Sequence, residues 1–128
     1  MTPSMQERFK RWIINSGLIT GYKLQMYQWR QLTADKGTQR YAIIQPNGGT
    51  PVRNDLGSEF YMLLLIVAGQ NDIEQPAADA QAIIDFTQDN PFDDCLGYIE
   101  NMDSTPTPIF TEENRMVLRL QFRIVYGD

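Results

Sequence analysis

The side chains in this 128-residue chain that could do chemistry are mostly carboxylates. Acidic pairs stand at Asp93-Asp94 and Glu112-Glu113, and Asp85 and Asp89 are one helical turn apart. Paired carboxylates serve as general acid and base, or hold a hard cation. No third or fourth oxygen ligand follows at an EF-hand-like spacing, so solvated turns and an exposed helix face are the plainer reading. Histidine is absent, which removes the commonest general base and a common metal ligand. Without it a serine or cysteine nucleophile has no usual activator. The only lysines, Lys10, Lys23 and Lys36, do not sit in apolar surroundings that would lower their pKa. No catalytic, cofactor-binding or metal-binding residue is expected.

The single cysteine, Cys95, has no internal disulfide partner. It is expected to be a small apolar strand residue, as free cysteines often are. Asn47-Gly48-Gly49 lacks the lysine of a phosphate loop and reads as a turn. Trp29-Arg30 and Arg40-Tyr41 place cations beside aromatic rings, as single-strand binding surfaces do. A net charge of −5 argues against general nucleic-acid recognition. The first segment is charged and amphipathic rather than a signal sequence, and the longest apolar run, 60–68, is too short to span a bilayer. These features predict one domain over residues 1–128, with no membrane association, in the cytoplasm.

Two helices and about five strands would position these residues. Ser4 with Glu7 forms a capping box before an apolar stripe of Met5, Phe9, Trp12 and Ile13, and Gly17 supplies the stop. Residues 22–29 and 41–45 read as strands, separated by a polar loop over 33–39. Residues 46–51 break regular structure and open a loop reaching about Gly57. A second helix over 74–88 starts from Asn71 or Asp72 and buries Ala77, Ala80, Ile83, Ile84 and Thr87. Residues 95–101 form a weaker strand, and residues 111–114 turn into the last one.

That last strand, 116–126, alternates clearly. Met116, Leu118, Leu120, Phe122, Ile124 and Tyr126 face a core, while Arg119, Gln121 and Arg123 point away with Val117 and Val125. Residues 59–68 are apolar on both faces, with Phe60, Met62, Leu64 and Ile66 on one side and Tyr61, Leu63, Leu65 and Val67 on the other. The predicted class is α+β, a mostly antiparallel sheet with both helices packed on one face. The helices then leave Tyr61, Leu63, Leu65 and Val67 needing cover. Either the loop over 46–57 or a neighbouring subunit supplies it, and the subunit is favoured. Arg119 and Arg123 either bridge to carboxylates across the strands or meet an acidic partner.

The order of several segments carries a resemblance. They are Gln45-Pro46-Asn47-Gly48-Gly49-Thr50-Pro51, Asp55-Leu56-Gly57, the apolar strand, Asp89-Asn90-Pro91 and Gly97-Tyr98-Ile99-Glu100-Asn101-Met102. Thr111-Glu112-Glu113-Asn114-Arg115 and the closing 120–128 complete the set. Together they resemble the tail terminators, or minor tail protein U-like proteins, of tailed phages and prophages. The resemblance implies a structural protein that closes into a homo-oligomeric ring, a hexamer, on the end of the tail tube. Such a ring stops tube polymerisation and offers a surface to the head completion protein. DNA would meet it only as passing cargo, and its places would be the host cytoplasm during assembly and the virion tail. Candidate contact residues are Tyr61, Leu63, Leu65, Val67, Arg119 and Arg123, with Arg53 in the loop. The alternative is a small acidic ligand-binding or enzymatic domain with a deep pocket lined by Asp or Glu.

Overall fold

The computed structural model describes residues 4–49, 58–102 and 105–126. Helix α1 (Met5–Ser16) begins where the Ser4 hydroxyl accepts the Glu7 N–H at 3.3 Å. It ends at Gly17, whose φ of 75° lets its N–H reach back to the Ile14 carbonyl. Met5, Phe9, Trp12 and Ile13 are its buried residues, as their spacing predicts.

Seven strands form one mixed sheet: β1 (Tyr22–Met26), β2 (Arg40–Gly49), β3 (Ser58–Gln70), β4 (Phe92–Asp93), β5 (Gly97–Asn101), β6 (Ile109–Phe110) and β7 (Arg115–Tyr126). Their order is β1-β2-β3-β7-β5-β4, with β6 also on β7. All pairings are antiparallel except β1 with β2. Helix α2 (Glu74–Asp89) lies between β3 and β4 in sequence. Both helices pack on one sheet face, where Phe9, Trp12, Ile83 and Ile84 meet Ala42, Ile44, Leu64, Ile66, Leu120, Phe122 and Ile124. Each leucine, isoleucine and phenylalanine among them contributes about 1.5–3 kcal/mol by leaving water.

Five strands become seven because β4 and β6 are two residues each, too short to show a period. The first strand stops at Met26 because Tyr27 takes φ 72°. The expected break at Pro46 does not occur. β2 continues to Gly49, absorbing a register shift between Pro46 and Gly49, and the rest of the expected loop, including Arg53, lies outside the described residues. Neither Asn71 nor Asp72 caps α2. Asn71 turns left-handed at φ 57° and joins Asn114, Asp72 is held by Arg40 at 2.7 Å, and the cap position falls to Ile73 without a side-chain bond.

Cys95 is another correction. It is exposed, in the turn before β5, rather than buried in a strand. The Asp93 carboxylate accepts the N–H groups of Cys95 and Leu96 at 2.9 and 3.1 Å, and this local turn competes with extension of the strand. Leu96, not Cys95, drops into the core.

Candidate assembly surface

The parallel pairing of β1 with β2 has a geometric consequence. Parallel neighbours need a crossover that carries the chain back along the sheet. Here residues 27–39 make it without a helix, as a strap on the sheet face opposite α1 and α2. Gln25, on that face of β1, holds the strap at Arg30 through both its amide groups, each bond 2.8 Å. Trp29 packs edge-on to Tyr41, with ring centroids 5.8 Å apart, and joins a second small core of Tyr41, Ile43, Val67, Leu65 and Val117.

Asp35 locks the strap. Its carboxylate accepts the Gly37 and Gln39 N–H groups at 2.8 and 3.0 Å and the Tyr41 hydroxyl at 2.7 Å. Arg115 donates to the same carboxylate at 2.8 Å, and also to the carbonyls of Gln39 and Ala68. Burial would raise the Asp35 pKa. The Tyr41 hydroxyl, the two backbone donors and the guanidinium outweigh it and hold the carboxyl well below the usual range. Arg115 also lies over the rings of Trp29 and Tyr41 at 5.5 and 5.8 Å. Sequence reasoning missed this network, reading residues 33–39 as loop and leaving Arg115 between the turn at 111–114 and the strand from 116.

The candidate contact residues therefore divide. Val67 and Leu63 are already buried, at 2% and 6% exposure. Cover for Val67 comes from the chain itself, through Trp29, so the expectation of cover from a neighbouring subunit narrows to Tyr61 and Leu65, both only half-buried. The Tyr61 hydroxyl donates to Glu59 at 3.0 Å. Arg123 bridges Glu59 on β3 and Glu100 on β5, an arrangement that lowers the Glu59 pKa and raises that of Arg123. Arg119, beside Leu65 in the register, is exposed and forms no ion pair among the described residues.

Other expected features are placed elsewhere. Trp29 and Tyr41 pack on each other and Arg40 pairs with Asp72, so neither aromatic–cation pair presents an open stacking platform. Among the described residues no group of three His, Cys, Asp or Glu side chains could hold a metal ion. A cleft of about 340 Å³ lies between α1 and the β4–β5 turn, lined by Arg8, Arg11, Trp12, Asp94, Cys95 and Tyr126 among others. Arg8 covers the Tyr126 ring at 4.7 Å and donates to the Cys95 carbonyl. Among the described residues no helix is long and apolar enough to cross a membrane.

A family model for phage tail termination proteins matches residues 2–128. The chain belongs to the phage tail termination protein family. No individual curated protein matches it. Family membership gives this tail termination protein a structural role in completing the phage tail, among other tail components.

Proposed function

We propose that this tail termination protein acts as a single-domain subunit of a homo-oligomeric ring, a hexamer, seated on the end of the tail tube. The ring stops polymerisation of the tube and offers its far side to the head completion protein. Assembly takes place in the host cytoplasm, the product stays in the virion tail, and DNA passes through without being recognised. No catalytic residue takes part. The observation that carries this reading is the helix-free sheet face, where half-buried Tyr61 and Leu65 lie beside exposed Arg119. An apolar stripe flanked by a free cation is a surface that association completes. Arg53 and the loop that carries it remain proposed contacts.

An acidic ligand-binding domain is less well supported. The cleft it would use sets Arg8 and Arg11 against Asp93 and Asp94, so its charges balance, and Asp93 already holds a turn.

Size-exclusion chromatography with light scattering, at low and high protein concentration and with purified tail tubes added, tests the ring. A strict monomer under all these conditions overturns it. Arg119→Glu is the discriminating variant, expected to keep the fold and block assembly. Arg123→Glu is a poor one, because it would leave three carboxylates together on β3, β7 and β5.

A further inference from the structure

Charge along this chain is segregated. No Lys or Arg stands between Arg53 and Arg115, while Asp and Glu recur throughout that stretch. The fold turns this linear pattern into two separate surfaces. On α2, Glu74, Asp85 and Asp89 fall on one helical stripe, opposite the buried Pro76, Ala80, Ile83 and Thr87. All three acids are exposed, and none forms an ion pair among the described residues. Asp85 and Asp89 repel each other across one turn, and they crowd the negative end of the helix dipole, where no basic residue offsets them. This arrangement is unfavourable within the subunit, and a cation from outside would relieve it.

Arg8, Lys10 and Arg11 on α1 share the helix side, and a second set of cations lies on the opposite side of the sandwich. Lys23 aligns with Tyr41 and Arg119 with Leu65, which places both cations on the helix-free face, and Arg30 stands on the strap that crosses it. All three are exposed and without an ion pair among the described residues. Three strand spacings, about 14 Å, separate β1 from β7. The acidic stripe runs about 22 Å along α2. The two patches are therefore of similar extent, opposite sign and opposite position. Each also carries an exposed apolar neighbour, Leu32 on the strap and Ile73 at the start of α2.

We infer that Lys23, Arg30 and Arg119 of one copy pack against Glu74, Asp85 and Asp89 on α2 of a second copy, head to tail. A contact between two different surfaces leaves one of each free on every added subunit; it closes into a ring where the contact turns each subunit relative to the last by a fraction of a full circle, and runs on as a filament where it does not. The inference rests on the ring reading above and adds which surfaces meet.

Two charge-reversed variants test it. The first carries K23E, R30E and R119E; the second carries E74K, D85K and D89K. Each alone is expected to remain monomeric where the wild type forms rings, with unchanged circular dichroism. Mixed in equal amounts they are expected to form rings of alternating subunits, because the two reversed surfaces then meet each other with opposite charge and the two native surfaces do the same. Assembly of either variant alone at the wild-type concentration overturns the inference, and so does failure of the mixture. Should a variant fail to fold, salt decides. Raising salt from about 50 mM to about 500 mM shortens electrostatic reach several-fold and is expected to raise the wild-type assembly concentration at least tenfold. An unchanged concentration overturns the contact. A first variant that loses affinity for a short DNA duplex while its ring persists reassigns the cationic patch to nucleic acid, which also overturns it. A wild type that stays monomeric even with tail tubes defeats the ring reading itself, an outcome distinct from each of these.

Discussion

Asp35 and Arg115 meet at 2.8 Å although 80 positions separate them in sequence, and neither side chain is open to solvent. Each joins a segment that would otherwise be independent: the strap over the helix-free face and the start of β7. Removing one partner of such a pair leaves a buried charge uncompensated, which costs more than the pair itself contributes.

Arg115→Met should accordingly destabilise the protein by about 3 kcal/mol. Combining it with Asp35→Asn should cost less than the two single changes added together, since no charge is then stranded. Urea unfolding of the four proteins checks both statements. Trp29 fluorescence should shift toward the exposed value in Arg115→Met, because the strap loses its lock.

The same carboxylate sets a dependence on acid. Its folded pKa lies below the unfolded value of about 3.9. Between those values the unfolded chain binds the extra proton, so stability rises with pH there. The contribution is present in full above pH about 5 and fades as pH falls below about 4. Asp35→Asn should be less stable at neutral pH and lose less on acidification. Glu59 and Asp72, lowered by Arg123 and Arg40, should leave a residual slope. Unfolding curves at pH 7, 4 and 3 measure it, and an Asp35→Asn slope equal to wild type would discard the assignment.

Cys95 provides a check on the β4–β5 turn. Exposed in the native protein, it should react completely with a thiol reagent without denaturant, at a rate within about tenfold of that in urea. Protection in the isolated protein would return it to the interior.

The sequence shows best the elements whose period reports burial directly. The stripe of α1, the alternation of β7 and the two-faced apolar run of β3 all have the predicted facing. Ala77 is the exception on α2, exposed while Pro76 is buried one position away. Periodicity could not show that β1 runs parallel to β2, because strand direction is a property of pairing. The crossing strap follows from that direction, and with it the cover over Val67. Nor does any local pattern mark Arg115 as buried: its acceptors are Asp35, Gln39 and Ala68, all distant in sequence. Cys95 was misplaced for the opposite reason, since a purely local bond from Asp93 outweighed the cysteine's preference for the interior.

The strap's lock gives the order of synthesis a mechanical meaning. Residues 27–39 leave the ribosome early, yet the guanidinium that fastens them belongs to the final strand. Until β7 has emerged and paired with β3, the helix-free side has no fixed relief, and Tyr41 and Ile43 stay unsheltered. A chain interrupted before that point thus lacks the fastened strap, and its helix-free side keeps no single shape.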